Sequence, residues 1–209
     1  MATEKLTVVV LGAGNIGGTI GRKWIGAGHQ VTFGVADPNG KNAQRLRSES
    51  GDKVSIGSVA AALQSQADVV LMALPGTAMD ETITTHAAQL DGKIIIDAAN
   101  RLGGGIMNSL ATLQTHAPHA AIYRAFNTLG WENFANPVFD GVPADLFYSG
   151  PDGESRAAIE QLISDVGLRP MWLGDNNQAG LVDAIAGLWF TLALGQKKGR
   201  NLAFRVLTR

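Results

Sequence analysis

The chain has 209 residues, of which 45% are hydrophobic and 17% charged, and its formal net charge is −1. This length and composition suit one α/β domain with a full core, spanning residues 1–209, and exclude a largely disordered chain. The near-neutral charge excludes a basic surface for nucleic acid and a polybasic patch for a membrane. The absence of cysteine excludes disulfides, thiol nucleophiles and Cys-type metal sites.

The N-terminus and the longest apolar stretch bear on where the protein resides. The first five residues run directly into an apolar segment, without the charged head, apolar middle and cleavage site of a signal peptide. Residues 181–194 are apolar, but they contain Asp183 and are fewer than the ~20 residues of a membrane span. We therefore expect a cytoplasmic protein.

Predicted strands and helices alternate along the chain. Residues 6–11 are a continuous β-branched run, which is typical of a buried parallel strand. The further predicted strands cover residues 30–34, 54–56, 67–74, 93–97, 120–125, 146–149 and 169–173, and the predicted helices cover residues 15–27, 38–49, 58–66, 77–90, 109–116, 154–166 and 179–194. This alternation predicts right-handed crossovers and a doubly wound parallel Rossmann sheet with C-terminal strand and helix additions. Residues 127–145 are predicted to be irregular.

A glycine-rich loop lies between the first strand and the first helix. Residues 12–17 read Gly-Ala-Gly-Asn-Ile-Gly, which matches G-x-G-x-x-G in the strand–turn–helix context that gives this motif its meaning. In that context Gly12 permits the tight turn, Gly14 lets the backbone approach a pyrophosphate, and Gly17 allows close helix–strand packing. The motif predicts a nicotinamide dinucleotide site, and a purely structural glycine turn is the alternative.

The residues after the second strand bear on the choice between NAD and NADP. An acidic residue here would bind the ribose 2′-hydroxyl, whereas a cation would bind a 2′-phosphate. Asp37 lies about where the acidic ligand is expected, but it precedes Pro38 and is equally suited to cap a helix. The candidate phosphate ligands are Arg22, Lys41 and Arg45. The sequence leaves both readings open.

Several further short elements occur together in one family. The most distinctive is Ala125-Phe126-Asn127-Thr128, which generic Rossmann proteins do not carry. The others are residues 12–18, 28–29, 33–34, 73–75, 124, 168–170 and 173–174. With these elements the chain resembles, over nearly its whole length, the coenzyme F420-dependent NADP reductases and their bacterial relatives, and also the oxidoreductase domain of the STEAP metalloreductases.

The resemblance implies NADP(H) bound over the carboxyl ends of the strands, with NAD as the alternative, and F420 or a flavin as hydride acceptor. The acceptor would lie in a cleft closed by residues 127–145 and the C-terminal helix, within an acceptor-side extension of residues 127–209. The family commonly has an Arg after the strand-two glycine, and this chain has Val35-Ala36 there. The expected cofactor-binding residues are Gly12, Gly14, Asn15, Ile16, Gly17, Val35, Ala36, Asp37, Lys41, Ala73, Leu74, Pro75, Ala99, Asn100 and Asn127.

Other polar residues follow predicted strands at the carboxyl edge. Asn100 could contact the nicotinamide carboxamide and Asn127 the acceptor, with turn formation as the alternative for both. Arg101 and Arg124 could hold an anionic acceptor, although Arg124 could also be a strand-edge residue. Thr77 is expected to cap the helix after the fourth strand.

Aromatic residues and histidines complete the candidates. Trp131, Phe134 and Trp189 could form an aromatic wall, although the helical spacing of Trp189 favours the core or an interface. His29 is expected to be structural, and His86, His116 and His119 to be solvated. No two histidines have ligand spacing, so we expect no metal site.

Hydride transfer between nicotinamide and a flavin-like ring requires positioning rather than a dedicated general acid, so no catalytic residue is assigned. We expect an NADP-dependent oxidoreductase with a small-molecule hydride acceptor and no nucleic acid or membrane partner. The apolar C-terminal helix favours a homodimer. The alternatives are an imine or carbonyl reductase of the pyrroline-5-carboxylate reductase type, which needs a proton donor, and a dinucleotide sensor without turnover.

Overall fold

Six parallel strands form the central sheet of the protein, seen here in a computed structural model that describes residues 4–51 and 54–209. The strands are β1 (Thr7–Leu11), β2 (Gln30–Val35), β3 (Ser55–Ser58), β4 (Val69–Met72), β5 (Ile94–Asp97) and β6 (Ala121–Arg124). Their order is β3-β2-β1-β4-β5-β6, which is the doubly wound Rossmann order. The predicted fold class is therefore confirmed. Residues 1–3 and 52–53 of the predicted domain lie outside the described residues, and the single-domain boundary stays a prediction.

The helices cover both faces of the sheet. They are α1 (Asn15–Ala27), α2 (Lys41–Ser50), α3 (Val59–Leu63), α4 (Met79–Thr85), α5 (Ala87–Leu90), α6 (Leu110–His116), α7 (Trp131–Ala135), α8 (Glu154–Val166) and α9 (Ala179–Phe190). In β1, Val8 and Val10 pack into one hydrophobic cluster, whereas Val9 and Leu11 pack into a second cluster on the opposite face. Both faces of the strand are buried, which explains its unbroken apolar run.

The C-terminal additions form two small sheets. Strands β9 (Asp145–Tyr148) and β10 (Arg169–Trp172) pair in parallel, and a single bridge between Arg124 and Ser149 connects this pair to β6. Strands β7 (Val138–Phe139) and β8 (Val142–Pro143) form a hairpin. The last residues of the chain run along β9, where the Asp145 amide donates to the Phe204 carbonyl over 2.9 Å.

Residues 127–145 are more regular than predicted, because they contain α7 and the β7–β8 hairpin. At the hairpin tip Asp140 has φ 49° and Gly141 has φ 81°. An Asp-Gly pair with both φ values positive is the preferred two-residue hairpin turn. The sequence thus contained a turn signal that the prediction overlooked.

Two predicted helices begin or break elsewhere. The helix predicted from Pro38 begins at Lys41, because the Asp37 side chain accepts from the Asn39 amide over 2.9 Å and forms a turn. Asp37 therefore caps no helix, and Gly40 holds that position. The helix predicted over residues 77–90 is a 3₁₀ turn followed by α4 and α5, with a break at His86.

Thr77 does not cap α4, because it lies inside the 3₁₀ turn Gly76–Ala78 and Ala78 precedes the helix without a side-chain cap. The break after α4 follows a segment rich in threonine. Thr82 and Thr84 donate their hydroxyls to carbonyls one turn earlier, at 2.8 and 2.9 Å. Such bonds and β-branching both weaken helix continuation.

The C-terminal helical segment is longer than predicted. A 3₁₀ turn, Asn176–Gln178, precedes α9, and a π-helical turn, Thr191–Gly195, follows it. The segment has 20 residues, and an 18-residue window within it has a mean hydropathy of 1.3, so it is long and apolar enough to cross a membrane. About a third of that window is buried in the protein, and core helices satisfy the same criterion, so this single segment is weak support for a membrane span.

Candidate functional site

The glycine loop after β1 turns tightly beneath the end of β4. Gly12 has φ +104°, and its amide donates to the Gly34 carbonyl over 2.9 Å. A Cβ at Gly12 would lie 2.4 Å from the Ala73 carbonyl oxygen, and one at Gly17 would lie 2.1 Å from the Gly12 oxygen. Both glycines are therefore required by packing, as the motif predicts.

Gly14 differs from the other two glycines of the motif. It precedes α1 without a side-chain cap, and a Cβ built on it meets nothing within 4 Å. The protein itself thus has room for a side chain at this position. The first amides of α1 make an anion site, because helix N-termini carry unsatisfied N–H groups and a partial positive charge.

A cavity of about 480 Å³ surrounds this loop, and we call it the glycine-loop cavity. It brings together three chain segments at the carboxyl edge of the sheet: the loop after β1, the β2–α2 connection and the turn after β4. Its lining residues are Gly12, Ala13, Gly14, Asn15, Ile16, Val35, Ala36, Asp37, Gly40, Lys41, Asn42, Ala43, Ala73, Leu74 and Pro75. Eleven of the fifteen predicted cofactor-binding residues are among them.

The three cations proposed as ligands of a 2′-phosphate lie at different places in the structure. Lys41 lies at the start of α2 on the wall of the glycine-loop cavity. Arg45 is one turn further and donates to Asn15 Oδ1 over 3.4 Å. Arg22 pairs with Glu49 at 2.6 Å and lines a different cavity, so its assignment as a phosphate ligand is wrong.

A second cavity, of about 210 Å³, adjoins the first, and we call it the Asn127 cavity. The two share Ile16, Ala73 and Leu74 as lining residues. The remaining lining residues are Ala98, Ala99, Asn100, Phe126, Asn127, Leu129, Gly130, Trp189, Phe190 and Arg200. Predicted residues Ala99, Asn100 and Asn127 thus lie here. Gly17, which packs against the loop, is the one predicted cofactor residue that lines neither cavity.

Beside the Asn127 cavity lies a buried ion cluster of Asp97, Arg124 and Asp183, which we call the Arg124 cluster. Arg124 is fully buried; its guanidinium lies 3.2 Å from Asp97 Oδ1 and 2.7 Å from Asp183 Oδ1. Arg124 also donates to the Ala99 carbonyl. It is therefore a structural cation that ties β5, β6 and α9 together. Its predicted role as an anion ligand is wrong, whereas the alternative is confirmed, because Arg124 is the last residue of β6 at the edge of the six-stranded sheet.

Asp97 is held by donors on both oxygens. Oδ1 accepts from the Ala99 amide at 3.0 Å, and Oδ2 accepts from the Ser109 amide at 2.7 Å. Burial raises the pKa of the Asp97 carboxyl, and the Arg124 guanidinium opposes this rise. Because every contact of the carboxyl is with a donor, the ionised form is the one that fits this site.

The two predicted asparagines have different environments. Asn100 Oδ1 accepts from Arg124 over 2.7 Å, and its Nδ2 donates to the Asn127 carbonyl over 2.9 Å. Asn127 donates its Nδ2 to Asp183 Oδ1 over 3.3 Å, and its Oδ1 has no hydrogen-bond partner among the described residues. Asn127 is 3% exposed.

The aromatic wall forms only in part. Trp189 and its neighbour Phe190 line the Asn127 cavity, and the Trp189 indole donates to the Leu202 carbonyl over 2.7 Å. Trp189 is also nearly fully buried, as its helical spacing predicted. Phe134 is fully buried against Phe126 and lines neither cavity, so its place in the wall is wrong. Trp131 packs against the core and does not line the cavity either.

Sequence reasoning did not assign to the site six residues of the Asn127 cavity: Ala98, Phe126, Leu129, Gly130, Phe190 and Arg200. Arg200 belongs to a C-terminal segment without regular structure, for which the sequence predicted no strand or helix. It pairs with Glu132 at 2.6 Å, and its guanidinium lies 5.3 Å from the Trp189 ring centre. Burial raises the pKa of Glu132, but the Arg200 guanidinium and the Glu132 main-chain amide together outweigh that effect, so the pKa lies below its usual value. No local sequence signal indicates this contact.

Arg101 and the histidines take no part in either cavity. Arg101 pairs with Asp80 and lines a separate cavity of about 760 Å³ beside α6 and α9. His29 is buried, accepts from the Leu6 amide at 3.1 Å and pairs with Asp165, so its structural role is confirmed. His119 is exposed as expected but lies 2.8 Å from Asp91, a carboxylate neighbour that the sequence did not reveal.

His86 is partly exposed and His116 exposed. Within residues 4–51 and 54–209, no group of three or more His, Asp or Glu residues is arranged to hold a metal ion.

Comparisons with known proteins agree with this geometry. Residues 7–101 match the family described as "NADP oxidoreductase coenzyme F420-dependent". A solved structure from Arthrobacter sp. FB24, provisionally described as an F420-dependent NADP-reductase, superposes with a TM-score of 0.82 over 97% of this chain and 100% of that chain, at 24% identity. The resemblance to this family is confirmed.

Other similar proteins are longer than this chain. The chain is 24% identical over 220 residues to a glycerol-3-phosphate dehydrogenase [NAD(P)+] of Pseudomonas fluorescens, covering 99% of this chain and 61% of that protein. An imine reductase from Pseudomonas sp. superposes with a TM-score of 0.70 at 16% identity, over 90% of this chain and 63% of that one. The chain thus spans about three fifths of the curated relatives that it matches. The family match and the curated relatives together support the coarse prediction of an NAD(P)-dependent oxidoreductase.

Proposed function

We propose that this protein transfers hydride between NADP(H) and a flavin or a deazaflavin of the F420 type. The observation that carries the proposal is the pair of adjoining cavities along the carboxyl edge of the sheet. In the glycine-loop cavity, the amides at the start of α1 and the glycines that line the wall suit the phosphates of a dinucleotide. The Asn127 cavity is lined largely by apolar and aromatic groups, which suit a flat ring.

Bound NADPH would supply the hydride from its nicotinamide ring, and the residues of this chain would bind that ring and orient it toward the acceptor. Ile16, Ala73 and Leu74 stand where the two cavities meet, so they would separate the phosphates from the ring. Trp189 and Phe190 would exclude water from the reacting face. Positioning of this kind accelerates a transfer between two preformed rings without a protein acid or base.

An imine or carbonyl reductase remains the alternative, because imine reductases share the fold. That reaction needs a proton for the product nitrogen or oxygen. Among the described residues that line the Asn127 cavity, Arg200 is the only ionisable side chain, and a guanidinium does not release its proton. Nearby Asp183 already accepts hydrogen bonds on both carboxylate oxygens, from Arg124 and from Asn108. These contacts favour the flavin-type acceptor; a sensor without turnover is the other alternative.

We propose NADP(H) rather than NAD(H) as the dinucleotide. Lys41 and the uncapped start of α2 face the glycine-loop cavity at the end of β2, where a 2′-phosphate would lie. Asp37 lines the same cavity, but one of its carboxylate oxygens already accepts from the Asn39 amide. Lys41 would thus replace the arginine that the family commonly has at Ala36.

Titration of the purified protein with NADPH and NADH, followed by F420, FMN and ferric chelates, tests the proposal. We expect tighter binding of NADPH and bleaching of its absorbance when the deazaflavin or flavin is added. Binding without turnover on any acceptor would contradict hydride transfer and favour a sensor. Preference for NADH would contradict the role given to Lys41.

A homodimer is a further proposal. Leu181 and Leu188, which lie two turns apart on one side of α9, are about half exposed and leave an apolar stripe on the surface. Stripes of this kind on a helix are typical of interfaces. Light scattering coupled to size-exclusion chromatography should give twice the monomer mass for the wild-type protein. The Leu188→Asp variant should give the monomer mass. A monomeric wild-type protein would contradict the proposal.

A further inference from the structure

Asn127 carries a buried acceptor without a donor, on the wall of the proposed ring site. Its side chain follows β6 and is almost completely buried, and its Oδ1 has no partner among the described residues. Buried polar atoms in native proteins are nearly always paired, so this one needs an explanation.

The orientation of the Asn127 amide is fixed by its neighbour. Asp183 Oδ1 lies 3.3 Å from Asn127 Nδ2, and the same carboxylate accepts from Arg124 Nε at 2.8 Å. A carboxylate held by a guanidinium only accepts hydrogen bonds, so the nitrogen of the amide must face it. A flipped amide would place two acceptors together, and Oδ1 therefore points away from Asp183.

The other amide on this wall is already used. Asn100 Oδ1 accepts from Arg124, and Asn100 Nδ2 donates to the Asn127 main-chain carbonyl. Both ends of the Asn100 side-chain amide are thus already paired within the protein. Of the two side-chain amide oxygens on the described wall of this cavity, Asn127 Oδ1 is thus the one that still lacks a hydrogen-bond donor.

We propose that Asn127 positions the nicotinamide ring by accepting a hydrogen bond from its carboxamide N–H. This inference rests on the proposed function, and it reverses the roles that the sequence suggested for the two asparagines. The carboxamide is the only hydrogen-bonding group of the nicotinamide ring, and it stands beside the carbon that transfers hydride. Fixing it would present one face of the ring to the acceptor. A cavity of about 210 Å³ is smaller than the ~300 Å³ of a site for a whole drug-sized ligand, which suits one ring.

The Asn127 amide must turn slightly to make this bond, because Oδ1 has almost no accessible surface. Terminal amide torsions are broad, so a small rotation is inexpensive. The 3.3 Å bond to Asp183 is long for an N–H···O contact and leaves room for that rotation. Asp183 would keep the nitrogen on its side while the oxygen moves toward the cavity.

The test compares two ligands that differ in one group. NADP⁺ and its 3-acetylpyridine analogue both carry the ring carbonyl, but a methyl group replaces the amide nitrogen in the analogue. We expect the wild-type protein to bind NADP⁺ about five- to tenfold more tightly than the analogue, as one hydrogen bond would give. In Asn127→Ala and Asn127→Leu this ratio should fall to about one, chiefly through weaker NADP⁺ binding. Calorimetry gives both dissociation constants without turnover, and urea unfolding shows whether each variant is folded.

Asn176→Ala is the matched control, because Asn176 also has a buried unpaired Oδ1 but lines other cavities. Its ratio should equal that of the wild type. A wild-type protein that binds both ligands equally overturns the inference, even if no Asn127 variant folds. An unchanged ratio in a folded Asn127 variant, or an effect confined to flavin or F420 binding, overturns it as well. In these cases NADP⁺ still binds and the proposed function stands, whereas a wild-type protein that binds no nicotinamide dinucleotide contradicts the proposed function itself.

Discussion

The glycine-loop cavity and the Arg124 cluster lie at the same edge of the sheet but are built in different ways. The cavity is formed mainly by backbone and small residues of the connections that follow β1, β2 and β4, and the first amides of α1 remain available to a ligand. The cluster joins side chains from β5, β6 and α9 that are up to 86 positions apart, and its polar groups are largely satisfied by one another. The glycine-loop cavity can thus bind the charge of a ligand, whereas the charges of the Arg124 cluster are paired with one another.

Loss of Arg124 should have the largest effect of the changes considered. Arg124→Met leaves two buried carboxylates without their cation, and breaking a buried pair in this way costs about 3–5 kcal/mol. Urea denaturation should show that loss in the free energy of unfolding. Arg22→Met removes the exposed pair with Glu49 and should cost less than about 1 kcal/mol. Equal losses in the two variants would mean that the cluster is not a structural unit.

Gly14→Ala should separate ligand binding from stability. The added Cβ meets nothing in the protein, so the free energy of unfolding should be preserved. It would stand where a pyrophosphate approaches the backbone, and we expect NADPH binding to weaken by about tenfold or more. Fluorescence titration measures this effect. Gly26→Ala, at an equally open position of α1 away from the cavity, should bind like the wild type; normal binding by Gly14→Ala would place the phosphates elsewhere.

Lys41→Ala should weaken NADPH binding about three- to tenfold and leave NADH binding unchanged, because only NADPH carries the 2′-phosphate. The loss should shrink at high salt, since Lys41 is exposed. Lys23, which lines a different cavity, provides the control Lys23→Ala. Equal weakening of NADPH and NADH would assign Lys41 to the pyrophosphate instead.

The smallest effect is expected at Glu132. Because the Arg200 guanidinium lowers the folded-state pKa of Glu132, this pair stabilises the protein above the unfolded pKa of about 4.3 and is lost as the pH falls through the lower folded value. Glu132→Gln should therefore reduce the unfolding free energy by less than about 1 kcal/mol at pH 6 and by almost nothing near pH 3. Identical losses at both pH values would show that the pair contributes nothing through charge.

The sequence by itself determined the sheet, the glycine loop and the positions of most residues of the two cavities. These features follow from local rules: β-branched runs give buried strands, and glycines adopt φ values and approaches that other residues cannot. The end of each strand could therefore be located, and parallel topology brings those ends to one edge. Even the overlooked hairpin at Asp140-Gly141 had a local signal.

Only the tertiary structure decided what the polar side chains at the ends of β5 and β6 do. In the sequence Arg124 resembled a ligand for an anionic acceptor and Asn100 a ligand for the nicotinamide, because packing alone brings their partners Asp97, Asp183 and Asn127 to them. The same holds for Arg200, which reaches the Asn127 cavity from a segment without regular structure. Whether a buried charge or amide is paired depends on long-range contacts, and no periodicity or motif encodes those contacts.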